Sequence, residues 1–411
     1  MDILIRPAVD ADFPQIALLD GAAFGFTYSE QDVADALIAV DPSRFYVATE
    51  ADRIVGVTGD YHFDLTLPGA AGTSVGVPGV TWVSVSPVHR RRGILRALME
   101  RQLGDFADRG EMMTILTASE GGIYRRFGFG PATRVRKTVI DRQLAVLNSP
   151  ESSHANSCGP VSSATPEQAR SILPPIHDRW RRTVPGALSR SPSWWERSFI
   201  DRETNRNGSS AVQYVVHADG FVAYRIEPNW ADGRPQHVCV VTDYVWMTAE
   251  AHRALWQVLL GLDLVGTIES RKIALDDPLP HLLDNPRQLR TTVLNDGIWV
   301  RPLDIESMLS ARTFQLEIDA VLEVVDETGA VGATAGRYAL KGGPDGAECV
   351  HTDRLADLRI TVDALGSAYL GGMRLGELAA AGRVEVSDAA LLRRLDLAFL
   401  ADRVPVHGTD F

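Results

Sequence analysis

The sequence predicts an α/β architecture with mixed rather than purely parallel sheets, spread over two or three domains. Apolar strand-like runs alternate with segments of helical period. A strand, a basic glycine-containing turn and an amphipathic helix follow one another from Val80 to Phe106, and a similar strand-turn-helix order recurs over Val240–Leu259. The chain has 411 residues, enough for two or three domains of ordinary size.

Taken in order, Ile3–Arg6 reads as a short strand. A helix follows over Asp12–Leu19, with Asp10 or Asp12 as N-cap and Pro14 tolerated in its first turn. Ser29 caps a second helix over Ser29–Ile38. Strand runs then cover Phe45–Thr49, Ile54–Phe63 and Val80–Val85. Pro87 and Gly93 mark a loop, after which Leu95, Leu98, Met99, Leu103 and Phe106 recur at helical spacing. Met113–Thr117 is a buried strand, and Ser119–Phe127 a short helix ended by Gly128.

Asn148–Ser163 is rich in Ser, Asn, Gly and Pro and reads as a linker. Beyond it, Val240–Trp246 is a strand and Ala249–Leu259 a helix. This pair echoes the first unit as a degenerate duplication would, although any α/β domain contains such units. The echo lacks a glycine between Asp243 and Leu260. A third unit begins near Ile298, with strands around Phe314–Glu317, Val321–Val325 and Leu358–Val362, then helices over Asp363–Leu370 and from Gly376. Domains are thus expected at 1–148, 160–297 and 298–411. The tail after Leu400 is irregular and ends on Phe411.

Composition narrows the function classes. Hydrophobic residues are 45% and charged residues 23%, as in ordinary globular proteins. The formal net charge of -12 argues against a general nucleic-acid binder and is compatible with a small cationic substrate, or simply with solubility. The three cysteines, Cys158, Cys239 and Cys349, are widely spaced, so neither a disulfide framework nor a metal site is expected. The N-terminal residues lack a signal-peptide pattern and no stretch is apolar enough for a membrane span, so the cytoplasm is the expected compartment.

The chemistry concentrates in Trp82-Val83-Ser84-Val85 and the turn Val88-His89-Arg90-Arg91-Arg92-Gly93-Ile94. A helix N-terminus carries unpaired N–H groups and a positive dipole end. With a glycine and arginines beside it, such a turn suits a pyrophosphate; a solvated basic loop would share the composition. The turn resembles motif A of the GNAT acetyltransferase superfamily, [QR]-x-x-G-x-[GA], except that Leu95 replaces the small residue. HRRRG followed by bulky aliphatics is similar to the Eis (enhanced intracellular survival) branch. So is the block Ser119-Glu120-Gly121-Gly122-Ile123-Tyr124-Arg125-Arg126-Phe127-Gly128-Phe129-Gly130-Pro131.

The resemblance implies tandem GNAT-like domains, the central one without the cofactor turn, followed by a sterol-carrier-protein-like α+β domain. It implies acetyl-coenzyme A (acetyl-CoA) as cosubstrate, no metal, and homohexamers built as trimers of dimers. The backbone of Val83, Ser84 and Val85 is then expected to pair with the pantetheine arm. Arg91, Arg92, Gly93, Ile94, Leu95 and Arg96 would hold the phosphates, and Ser119 and Glu120 would line the other side. Tyr124 is the expected general acid toward the leaving thiolate, against the alternative of a half-buried structural tyrosine. The base implied by the resemblance is the terminal carboxylate of Phe411; by chemistry alone His89 and His407 are alternatives, each also an ordinary surface histidine. Phe24, Phe26, Tyr28, Asp20 and Glu30 lie where this family builds its acceptor pocket, and such walls suit a polyamine.

The expected activity is therefore acetyl transfer to amines of polyamino molecules: aminoglycoside-like compounds, polyamines or lysine side chains. A carrier of apolar ligands built around the last domain, or a protein that senses acetyl-CoA without turnover, are the competing classes. A carrier has no need of the arginine turn or Tyr124.

Overall fold

The computed structural model describes residues 3–69, 72–148, 159–329 and 334–411. The chain runs through β1 (Leu4–Pro7), α1 (Phe13–Phe24), α2 (Glu30–Leu37), β2 (Phe45–Glu50), β3 (Arg53–Thr66), β4 (Ser74–Val85), α3 (Ile94–Asp108), β5 (Met113–Thr117), α4 (Gly121–Tyr124) and β6 (Gly130–Pro131). It continues through β7 (Arg134–Asp141), β8 (Ser162–Ala164), α5 (Pro166–Arg181), α6 (Pro192–Ser198), β9 (Gln213–His217), β10 (Gly220–Glu227), the small hairpin β11 (Trp230–Ala231) and β12 (Arg234–Pro235), β13 (His237–Trp246), α7 (Ala249–Leu260), β14 (Val265–Ile273), α8 (Leu279–Leu282) and β15 (Leu289–Asp296). The last stretch holds β16 (Ile298–Pro302), α9 (Ile305–Ser310), β17 (Ile318–Val325), β18 (Gly336–Gly343), β19 (Gly346–His351), β20 (Leu358–Thr361), α10 (Val362–Tyr369), α11 (Leu375–Ala380), β21 (Val384–Val386) and α12 (Ala389–Phe399).

Two compact units emerge: residues 1–133, 185–189 and 296–411 form one, and 134–184 with 190–295 form the other. The first unit contains a sheet of order β1-β2-β3-β4-β5-β16-β6, and the second a sheet of order β8-β9-β10-β13-β14-β7-β15, read from the β8 edge. The two orders correspond strand for strand, with one exchange. The penultimate place in the first sheet is taken by β16, which follows the entire second sheet in sequence. The matching place in the second sheet is taken by β7, which precedes that sheet. β16 pairs antiparallel with β5, from Ile298↔Thr117 to Pro302↔Met113, and β7 pairs antiparallel with β14. A strand whose flanking partners lie far away in sequence is invisible to local patterning.

In the first unit, Phe13, Ile16, Phe45 and Val57 pack α1 against one face of the sheet. Ile94 and Leu98 of α3 close the other face against Ala48 and Val55. Each such side chain, fully buried, contributes ~1.5–3 kcal/mol. β16 brings Trp299 into the cluster that also holds Met99, Leu103, Phe106 and Tyr124. The carrier-like part forms its own sheet, β19-β18-β17-β20-β21. Its α10 lies directly on β6 and β16, because Gly130 and Gly366 present no side chain: a Cβ on either would collide with the Asp363 or Val300 carbonyl.

The expected strand at Phe314–Glu317 does not form. Phe314 is instead anchored as a side chain: its ring packs 5.0 Å from Phe399, and the buried guanidinium of Arg312 lies 4.6 Å above it. Burial without a carboxylate partner lowers the Arg312 pKa to about 10; the guanidinium donates to the carbonyls of Thr313, Tyr369 and Phe399. Asp12 does not cap α1 with its side chain; it accepts from the Val9 N–H and pairs with Arg6. Ser29 does cap α2, accepting from the Asp32 N–H. Most of the expected linker, residues 149–158 including Cys158, lies outside the described residues.

Candidate active site

The site is built where β4 and β5 part. Their parallel ladder consists of Gly79↔Ile115 and Val80↔Leu116. On its other side β4 stays paired to β3 through a register shift: Gly59 faces Thr81, but Val57 faces Ser84. Trp82 sits in that bulge with φ +52°, a conformation that a bulky L-residue adopts only under constraint. Beyond the bulge, the edge of Val83, Ser84 and Val85 that faces β5 makes no ladder contact with it. An extended amide-containing ligand can therefore pair there as an added strand.

β4 runs into the turn that starts α3. Arg91 (φ +64°) and Gly93 (φ +80°) are both left-handed, and Gly93 is the helix N-cap. The first-turn N–H groups of α3, from Ile94 to Arg96, have no acceptor within the helix. Arg90, Arg91 and Arg96 are exposed and have no acid partner among the described residues. Arg92 differs: it donates to Glu50 at 2.7 Å, and His89 contacts the same carboxylate at 3.1 Å while its other ring nitrogen meets the Ser86 hydroxyl. The two groups hold the Glu50 carboxyl below its usual range. Arg92 and His89 thus brace the turn. Ile94 is buried in the core and Leu95 half-buried.

Across the gap, Thr117 ends β5, and the exposed Ser119 and Glu120 lead into α4. Tyr124 closes α4 with 5% exposure, its ring 6.2 Å from Phe129 in an edge contact. Its hydroxyl has no hydrogen-bond partner among the described residues. Burial, with a smaller contribution from the Glu120 charge, pushes its pKa up to about 12.

The α1 face of the sheet carries an aromatic cluster. Gly25 ends α1 at φ +80°, and the chain folds back so closely that a Cβ on Gly21 would meet the Phe26 carbonyl at 2.5 Å. Phe24 stacks on Phe26, Phe26 meets Tyr28 edge-on at 5.1 Å, and Tyr28 stacks on Trp82 at 6.0 Å. The Trp82 indole N–H donates to the Tyr61 hydroxyl at 3.1 Å. Asp20 lies under this wall, accepting from Ser84 and Tyr28. Glu30 is exposed at the start of α2.

Phe411 reaches the same face. Its ring packs 4.9 Å from Phe63 and against Gly79, where a Cβ would come within 2.8 Å of the ring. Its main-chain oxygen accepts from the Thr117 hydroxyl at 2.9 Å. The tail is tied down by residues 185–189. Gly186 and Ala187 exchange backbone bonds with Thr66 of β3, while the Leu188 N–H donates to His407 and the Val406 N–H to Pro185. His407 is buried and faces Asp410 at 3.2 Å, so it braces the tail. Local reading of the sequence misses Thr117, Tyr61 and the strap at 185–189, since none carries a motif.

The second unit shows what the turn adds. β13 has a matching register shift, between Ala223 and Tyr224 of its partner β10. α7, however, is capped by Thr248, whose hydroxyl accepts from the Ala251 N–H and so occupies the helix end.

Comparison with known proteins agrees with this geometry. Residues 4–132 and 186–302 each match an acetyltransferase (GNAT) domain family, and 305–408 match the sterol carrier protein domain. N-acetyltransferase Eis of Mycobacterium tuberculosis is 35% identical over 99% of both chains. This chain belongs to the Eis family of GNAT N-acetyltransferases. An uncharacterised N-acetyltransferase of Streptomyces coelicolor is 36% identical over 87% of each chain. Among solved structures, Eis1 from Mycobacterium abscessus superposes with a TM-score of 0.85 at 32% identity, both chains covered in full. A GCN5-related N-acetyltransferase from Anabaena variabilis shares the fold at 16% identity, with a TM-score of 0.84 over both full chains. Like other Eis-family members, the chain is an N-acetyltransferase with two GNAT domains and a sterol-carrier-like domain. GNAT acetyltransferases use acetyl-CoA, and the parted strands, the uncapped helix end and the unpaired arginines fit that molecule. Among the described residues no helix is long and apolar enough to cross a membrane.

Proposed function

We propose that this enzyme transfers the acetyl group of acetyl-CoA to a primary amine of a polyamino acceptor: an aminoglycoside-like molecule, a polyamine or a lysine side chain. The observation that carries this reading is the cluster of Phe24, Phe26, Tyr28 and Trp82 joined to the Asp20 carboxylate through Tyr28, with Trp82 and Ser84 on the same strand as the parted edge. Aromatic faces and an anion attract alkylammonium groups.

Bound acetyl-CoA supplies an acyl group activated as a thioester. The Val83–Val85 backbone orients its arm, and Arg91, Arg96 and the amides after Gly93 take the phosphates. Ser119 and Glu120 line the opposite edge. Tyr124 holds a proton where the leaving sulfur emerges. A phenol with a pKa near 12 stays protonated at neutral pH, and gives up that proton only to a sulfur that carries nearly full charge in the same desolvated place. The terminal oxygens of Phe411, steadied by Thr117, orient a water that relays the proton of the acceptor ammonium to bulk solvent. A free carboxylate, with a pKa of about 3.3–3.7, is too weak to remove it alone. Assembly as a homohexamer, a trimer of dimers, and a cytoplasmic location belong to the same reading. Free-thiol release from acetyl-CoA across amines of graded size and charge tests it. No release with any amine would overturn it, and sedimentation would settle the assembly.

A further inference from the structure

Asp20 stands out among the acids of the first unit. It is 5% exposed, and Ser84, which donates to its Oδ1 at 2.5 Å, is 3% exposed. The Tyr28 hydroxyl donates to Oδ2 at 2.8 Å. Both partners are neutral, and Asp20 has no cationic partner among the described residues. By contrast, the buried Asp60 and Asp326 each face an arginine, Arg44 and Arg301. A buried anion held by hydroxyls alone is incompletely compensated. Each oxygen keeps a further lone-pair direction, and the Tyr28 ring that contacts it belongs to a run of aromatic rings in which Phe24 and Phe26 are nearly half exposed. Such an arrangement favours a cation arriving from outside the protein.

We propose that Asp20 is the residue that recognises the acceptor's positive charge, so that alkylammonium compounds are selected over neutral isosteres by one buried carboxylate rather than by surface acids such as Glu30. This rests on the acetyltransferase reading of the site. Ser84 and Tyr28 are positioning residues in it. Their hydroxyls fix the carboxylate between the strand that would carry the cofactor arm and the aromatic wall.

The test uses the full-length enzyme with two probes, 1,8-diaminooctane as acceptor and 1,8-octanediol as a neutral competitor. Acetyl-CoA affinity is measured separately by calorimetry. Asp20→Asn should raise the diamine KM about tenfold or more, the scale of losing a hydrogen bond to a charged group. Inhibition by the diol and the acetyl-CoA Kd should stay within about threefold. Ser84→Ala keeps the charge and should retain the preference for diamine over diol. An unchanged diamine KM in Asp20→Asn, or equal weakening of diamine, diol and acetyl-CoA, would assign Asp20 to packing and overturn the proposal while the acetyltransferase reading stands. A wild-type enzyme that neither binds acetyl-CoA nor releases thiol would bring down that reading and this proposal together.

Discussion

Thr117 donates its hydroxyl to the main-chain oxygen of Phe411, which joins the point where β4 and β5 part to the far end of the chain. The contact gives the tail a geometric reason to matter. Extending the chain beyond Phe411 by a few residues should lower kcat by at least about tenfold, because the extension removes the carboxylate and crowds the niche formed by Phe63 and Gly79. Thr117→Val should lower it less, since the ring still anchors the tail. Equal turnover with and without the extension would remove Phe411 from the proton path.

Tyr124→Phe should lower kcat by roughly 10²–10⁴-fold, the usual range for a general acid, with little change in acetyl-CoA Kd. Its hydroxyl has no partner in the described structure, so the variant should melt at the same temperature as the wild type or slightly higher. A fall in kcat together with a fall in Tm would indicate a packing role. Because burial pushes the Tyr124 pKa up to about 12, its ionisation should contribute no alkaline loss of rate below about pH 11.

Gly93 is constrained by backbone conformation rather than by space. Nothing lies within 4 Å of a Cβ built on it, but its φ is +80°. A change to Val is therefore strained even without a ligand, and Gly93→Ala is the milder probe, expected to cost ~1–2 kcal/mol of stability. Calorimetry at a temperature where the variant is folded should show the acetyl-CoA Kd raised about tenfold or more. Unaltered affinity in folded Gly93→Ala would detach the turn from the phosphates.

Asp60 should contribute a pH dependence of stability. It is 2% exposed, and burial, opposed by Arg44, raises its pKa to about 6. A raised folded-state pKa means that the stabilisation from protonation is fully present below about pH 3.8 and is lost as pH rises through about 6. Asp60→Asn should flatten that part of the stability profile by on the order of 2–3 kcal/mol between pH 4 and 7, read by denaturant unfolding. A profile with the wild-type slope would show that another group carries the dependence.

The strand exchange bears on truncation. A fragment of residues 1–148 contains β7 but lacks β16, so β5 and β6 lose their common neighbour and Trp299 leaves the cluster around Tyr124. The fragment should fail to show a cooperative thermal transition. Adding a peptide spanning residues 296–304 should restore part of it. Cooperative unfolding of the bare fragment would show that the exchange is dispensable.

The helix starts at Ser29 and Ile94, the strands around β3 and β4, the helical period of α3 and the two motif blocks around Gly93 and Tyr124 were legible in the amino-acid order, because each depends on neighbours within a few residues. Those blocks sufficed to place the chain in its family. Tertiary structure alone decided the rest: the exchange of β7 and β16, the neutral partners of Asp20, the contacts of Arg92 and His89 with Glu50 and of His407 with the tail, and the strap at 185–189 that delivers Phe411 to Thr117. The reason is physical. Pairing registers and buried charge depend on groups brought together from distant parts of the chain, and Asp20 meets Ser84, or Thr117 meets Phe411, only after the sheet has formed.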